Sequence, residues 1–220
     1  MSPEPFPLAA ISGPVSLMTL AVVALVVSDW RHWRPARYLF KPLAALAFVW
    51  AALSLGVLES SYGHWLLAGL LACLLGDLLL MFETDQFFRA GLFAFLTGHL
   101  LYAVAFLQLP ISGAGLTFSL VPVALLLAGT LSWLMPHLDT AMRGPVVAYV
   151  LVIGSMLVTA GSTLGSAPAT LILLGAWGFA CSDLAVARRQ FVVASPINGL
   201  WGTPLYFGSQ MLLACSVALV

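Results

Sequence analysis

Residues 70–82 read "LLACLLGDLLLMF": thirteen residues, of which twelve are apolar or glycine and one, Asp77, is an acid. A run of this kind is built to be dehydrated. A carboxylate near the centre of a bilayer costs on the order of 3 kcal/mol on insertion scales, so such a residue is a functional candidate by default. The surroundings of the run match it. Of the 220 residues, 62% are hydrophobic and only 7% are charged. Soluble domains carry about 25% charged residues. A soluble core of this size could not hide so much apolar surface, and the chain reads as an all-α integral membrane protein with the bilayer as solvent. The net charge is zero, which leaves no basic footprint for nucleic acid.

Eight runs are long and apolar enough to be spanning helices, at about 13–28, 39–58, 64–82, 87–108, 115–135, 144–161, 168–187 and 200–220. Short connections with Gly, Pro, Ser and charges separate them. A bundle of eight transmembrane helices in a single membrane domain, 1–220, is expected. The amino terminus, "MSPEPFPLAA", has an acid and three prolines but no positive region, so the first run is expected to be a permanent span and not a cleaved signal. The basic residues supply an orientation. Arg31, Arg34, Arg37 and Lys41 fall in the first connection or at the start of the run after it, Arg89 likewise at the third, Arg143 in the fifth, and Arg188 and Arg189 in the seventh. These are all eight Lys and Arg, and all lie on one side. The positive-inside rule puts that side in the cytoplasm and both termini outside. Compact loops lean towards a bacterial inner membrane. Trp30, Trp33, Trp65, Trp133 and Trp201 lie near span ends and read as an interfacial belt.

Six of the eight acids, Glu4, Asp29, Glu59, Glu83, Asp85 and Asp139, lie at ends or in loops. The other two, Asp77 and Asp183, lie inside the third and seventh runs. "GLLACLLGDLLL" (69–80) aligns with "GAWGFACSDLAV" (175–186) at an offset of 106, which pairs Asp77 with Asp183 and Gly69 with Gly175. The offset admits two parallel four-helix halves, 13–108 and 115–220; parallel repeats also occur in transporters. Each Asp stands about five residues before the inner end of its run, roughly 8 Å deep at 1.5 Å per residue. Lys41 lies near the same level. Gly76 and Ser182, next to the acids, permit close helix approach.

Further polar candidates surround the pair. His99 and Tyr102, three apart, share a helix face, and Tyr206 and Gln210 do so four apart. Asn198 stands just before the last run. The bland alternatives are a cross-helix hydrogen bond for His99, core packing for Tyr102, and interfacial snorkelling for Lys41. His32, His64 and His137 lie in loops or at run ends. The histidines lack ligand spacing, and Cys73, Cys181 and Cys215 lie in apolar runs as small hydrophobes. No metal and no cofactor is expected. GxSxG, HExxH and phosphate-binding glycine loops are absent.

Several motifs resemble the YhhN family of lysoplasmalogenases: "FKPLAALAF" (40–48), "GDLLLMF" (76–82), "FLTGHLLYAVAF" (95–106), "GAWGFACSDLAVARR" (175–189) and "TPLYFGSQMLLA" (203–214). The resemblance runs in order over nearly the whole chain. It implies that Asp77 and Asp183 are the active-site pair, with Lys41, His99, Tyr102, Tyr206 and Gln210 at the family's other polar positions. The implied activity is hydrolysis of the vinyl ether bond of a lysoplasmalogen, a single-chain lysophospholipid, to a fatty aldehyde and glycerophosphoethanolamine or glycerophosphocholine. The residues suit that chemistry. A vinyl ether hydrolyses by protonation at the carbon beta to oxygen, then by water addition to the oxocarbenium ion. That needs an acid, a base and nearby negative charge, which two carboxyls supply without a cofactor. Rival readings are a proton-coupled transporter built on the repeat, an intramembrane aspartyl protease and a lipid-binding protein. The protease reading is weakened because Leu74 stands where a GxGD motif needs glycine.

Overall fold

In a computed structural model, residues 6–31, 33–82 and 84–220 are described; Glu4, His32 and Glu83 lie outside them. The described residues contain helices and no strand. There are eight long helices: α1 Leu8–Trp30, α2 Arg34–Ser54, α3 Ser61–Leu79, α4 Asp85–Phe106, α5 Gly113–Leu134, α6 Thr140–Ser162, α7 Ala169–Ala187 and α8 Pro196–Cys215. Seven of them, α1 to α7, are long and apolar enough to cross a membrane. The eighth, α8, has 20 residues but is not among the seven. The reason is its content of Asn198, Thr203, Tyr206, Ser209 and Gln210. Four of these polar residues, Asn198, Tyr206, Ser209 and Gln210, are buried and face protein rather than lipid.

Local chemistry sets the helix ends. The hydroxyls of Ser60 and Ser112 accept from the amides of Gly63 and Gly115 at 3.0 and 3.1 Å, and the Asp139 carboxylate accepts from Met142 N–H at 2.8 Å. Each satisfies an N–H that has no partner within its helix. Gly56 and Gly165 end their helices' following turns with φ of 77° and 94°, a conformation that costs other residues a Cβ clash. Four sequential hairpins form: α1 on α2, α3 on α4, α5 on α6 and α7 on α8. The first, second and fourth meet through α8, which packs on α1, α2 and α3, while α6 bridges α4 to α7. Leu20, Phe93, Phe118, Val121 and Leu125 point outward, so the apolar surface is on the outside, as lipid requires.

Two expectations are corrected. Helix α2 starts at Arg34, so Arg34 and Arg37 stand in its first turn rather than in a connecting loop, and Lys41 is two turns in rather than at its start. Pro35 starts that helix early, because its fixed φ suits a first helical turn. Arg89 and Arg143 likewise stand inside α4 and α6. The end of the third helix also differs from the expected run, while the seventh ends at 187 as expected. Helix α3 ends at Leu79, so Asp77 is in its last turn. Asp183 is one turn from the end of α7, which continues into a π-helical turn over Arg188–Val192.

Candidate active site

Asp77 is nearly fully buried, with 2% of its side chain exposed. Gly76 beside it lets the Phe95 ring of α4 lie against the α3 backbone, where a Cβ would collide. The carboxylate receives two donors from two other helices. Lys41 Nζ of α2 lies 3.2 Å from Oδ1. The Tyr206 hydroxyl of α8 donates to Oδ2 at 2.7 Å. An ammonium and a phenol therefore occupy both oxygens, and the ion pair offsets part of the desolvation of each charge.

Asp183 of α7 has a different set. Its side chain is 14% exposed. The Tyr149 hydroxyl of α6 donates to Oδ2 at 3.0 Å. His99 Nε2 of α4 lies 3.3 Å from the same oxygen, although Nε2 completes no hydrogen bond. The other ring nitrogen, Nδ1, is 2.7 Å from the Phe95 carbonyl oxygen. A carbonyl can only accept, so Nδ1 carries the hydrogen. The imidazole also stacks on Phe179, with centroids 4.1 Å apart and planes 18° apart. Phe179 in turn meets Tyr206 at 5.5 Å, and Phe95 meets Tyr206 edge-on at 5.8 Å. These rings form an aromatic partition behind the two acids.

Both carboxyls line one cavity of about 430 Å³. Lys41, Tyr149 and Tyr206 line it as well. One part of its wall is apolar, built by Leu126, Leu127, Val146, Val150 and Ile153 of α5 and α6. Asp29, Arg37, Asp85 and Arg189 supply charge elsewhere on the wall. Arg37 pairs with Asp29 at 3.1 Å.

The sequence candidates thus divide. Asp77, Asp183, Lys41 and Tyr206 converge on the cavity. His99 reaches Asp183 from behind the wall, fully buried. Tyr102 and Gln210 do not line the cavity: the Tyr102 hydroxyl donates to Gln210 Oε1, and the pair sits one layer deeper. Their shared faces with His99 and Tyr206 hold, but a face three or four residues long spans two layers of the bundle. Asn198 lines the wall, yet its amide is spent on the chain itself. It accepts from Arg188 and donates to the Val193 carbonyl at 2.8 Å, which lashes the π turn to the start of α8. Tyr149 was not a sequence candidate. Its only signal is a single phenol in the otherwise apolar run "VVAYVLVIG" (146–154), and no motif marks it.

The chain is similar to known proteins over most of its length. It is 34% identical to lysoplasmalogenase TMEM86B of Mus musculus over 199 residues, covering 86% of this chain and 77% of the relative. To lysoplasmalogenase TMEM86B of Homo sapiens it is 32% identical, over 87% of this chain and 78% of that one. To lysoplasmalogenase TMEM86A of Bos taurus it is 33% identical, over 67% and 62%. No solved structure matches. The profile of the YhhN family matches residues 36–217, a range that holds Lys41, both acids, their tyrosine partners and the histidine, and the chain belongs to that family.

Proposed function

We propose that this protein hydrolyses the vinyl ether bond of lysoplasmalogens, with Asp77 and Asp183 as an acid–base pair. The products are a fatty aldehyde and glycerophosphoethanolamine or glycerophosphocholine. The relatives' names support the substrate class. The observation that carries the chemistry is one cavity lined by two carboxyls of unlike surroundings, one against an ammonium and one against an imidazole. Its volume, about 430 Å³, is within the usual range for small-ligand pockets.

A vinyl ether resists nucleophiles and yields to a proton delivered on carbon. Delivery gives an oxocarbenium ion, which a nearby carboxylate stabilises. Water adds, a carboxylate takes its proton, and the hemiacetal collapses to aldehyde and alcohol. Two carboxyls in opposite protonation states perform every transfer, each typically contributing ~10²–10⁴ in rate. The apolar wall of α5 and α6 suits the single acyl-length tail. Lys41 is engaged by Asp77 and Arg37 by Asp29, so the lipid phosphate falls to Arg189 at the charged part of the wall.

In the membrane, α8 is the eighth span, its polar residues turned inward and its cavity-facing groups sealed by α1, α2 and α3. The basic residues then mark the cytoplasmic side, with both termini outside. The α3/α4 and α7/α8 hairpins are the repeated unit that gives one acid each. Mass spectrometry of a lysoplasmalogen incubated with purified protein tests the activity. Aldehyde is expected from the vinyl ether and none from its saturated ether analogue, which cannot form the oxocarbenium by protonation. Cleavage of both, or of neither, overturns the reading.

A further inference from the structure

The two acids differ in how many protons their partners require. Asp77 faces Lys41 Nζ at 3.2 Å and the Tyr206 hydroxyl at 2.7 Å, and both groups are donors. An ionised carboxylate satisfies them with nothing added. Asp183 faces His99 Nε2 at 3.3 Å. Because His99 Nδ1–H is committed to the Phe95 carbonyl, Nε2 of the neutral ring presents a lone pair. A lone pair against an ionised carboxylate is repulsive. One proton must therefore reside on the Asp183–His99 unit. His99 is fully buried, whereas Asp183 reaches the cavity, so Asp183 is the member that can touch a substrate.

We propose that Asp183 is the acid that protonates the vinyl carbon and Asp77 the base that takes a proton from water, with His99 and Tyr149 as positioning residues for the acid. This rests on the vinyl ether reading above. The cycle balances. Asp183 gives its proton to the carbon beta to oxygen, and the carbon–carbon π pair forms the new C–H bond. Tyr149, donating to Oδ2 at 3.0 Å, stabilises the carboxylate that this step creates. Water then bonds to the oxocarbenium carbon and loses a proton to Asp77. In the collapse, Asp77 returns that proton to the departing glycerol oxygen as the C–O bond breaks. Asp183 takes the hemiacetal hydroxyl proton as the aldehyde C=O forms. Both acids end as they began, and the net change is one water consumed.

Tyr149 thus acts on the first step and Tyr206 on the later ones, although each is a phenol on an acid. The solvent isotope effect separates them, because proton transfer to carbon is slowed in D2O. Aldehyde release is measured in H2O and D2O for wild type, Tyr149→Phe and Tyr206→Phe, both of which keep the two carboxyls. Tyr149→Phe is expected to lower kcat about ten- to hundredfold, the worth of a hydrogen bond to a charged group, at little cost in KM. Its isotope effect stays at or above the wild-type value. His99→Gln is expected to follow Tyr149→Phe. Tyr206→Phe loosens the base, makes water addition slower, and brings the isotope effect below wild type. The opposite ordering exchanges the roles and overturns the proposal, and so does an unchanged isotope effect in both variants. Wild-type protein that releases no aldehyde refutes the substrate reading instead, which keeps the two failures distinct.

Discussion

Asp77 and Asp183 carry the strongest expectations at the scale of single residues. Replacing either by Asn keeps its shape and removes its acid–base function, so aldehyde release is expected to fall at least about a hundredfold while the protein stays folded. Gel filtration and a thermal melt in detergent accompany the assay; near-normal turnover in a folded variant would refute the pair. Lys41 has a separate stability role. Lys41→Met leaves the nearly fully buried Asp77 with a phenol alone. Breaking one side of a buried pair costs about 3–5 kcal/mol, so a large drop in melting temperature is expected. No drop would mean that water already screens the pair. The acids themselves were legible in the sequence, because a charge is costly in an oily run and stands out from its apolar neighbours. Their partners were only half legible. Lys41 and Tyr206 were candidates as residues, but nothing local showed that both would meet Asp77. Tyr149 was invisible, since one phenol in an apolar helix has the same pattern whether it faces lipid, core or cavity.

At the scale of elements, the informative feature is the α3–α4 contact beside the first acid. The Phe95 ring occupies the space that a side chain at position 76 would need. Gly76→Val is expected to push Phe95 into Tyr206 and displace Asp77. Overpacking of this kind costs about 1–3 kcal/mol, and here activity should fall more than stability does. Equal turnover with a lower melting temperature would show that Phe95 has room to move. Helix positions were readable because apolar runs bounded by Gly, Pro and Ser are a local property. Helix ends were not. Arg31, Arg34 and Arg37 read as a loop, yet Pro35 carries α2 back to Arg34. That extension places Lys41 two turns inside the helix and within reach of Asp77.

Over the whole molecule, the cavity joins a charged part to an apolar part formed by α5 and α6. Helix α5 packs chiefly on α6 and is the least enclosed of the spans, with 17% of its most apolar window buried. A bulky residue at the junction should shorten the lipid tail that fits. Leu127→Trp is expected to cut turnover of long-tailed substrates more than that of short-tailed ones, measured as product formed across a tail-length series. A uniform effect on all lengths would place the tail elsewhere.

Composition and hydropathy by themselves determined that the chain is helical and lipid-embedded, and its motifs pointed to the family. They also singled out the two acids, because dehydration makes a buried charge conspicuous within a single run. Tertiary structure alone decided what each acid meets. Partner choice depends on the rotation and depth of one helix against another, as in Asp77 with Tyr206, 129 residues away, and Asp183 with Tyr149, 34 away. The periodicity of one helix carries no record of its neighbour's. The difference between an acid held by an ammonium and an acid facing an imidazole lone pair was therefore written only in the packing.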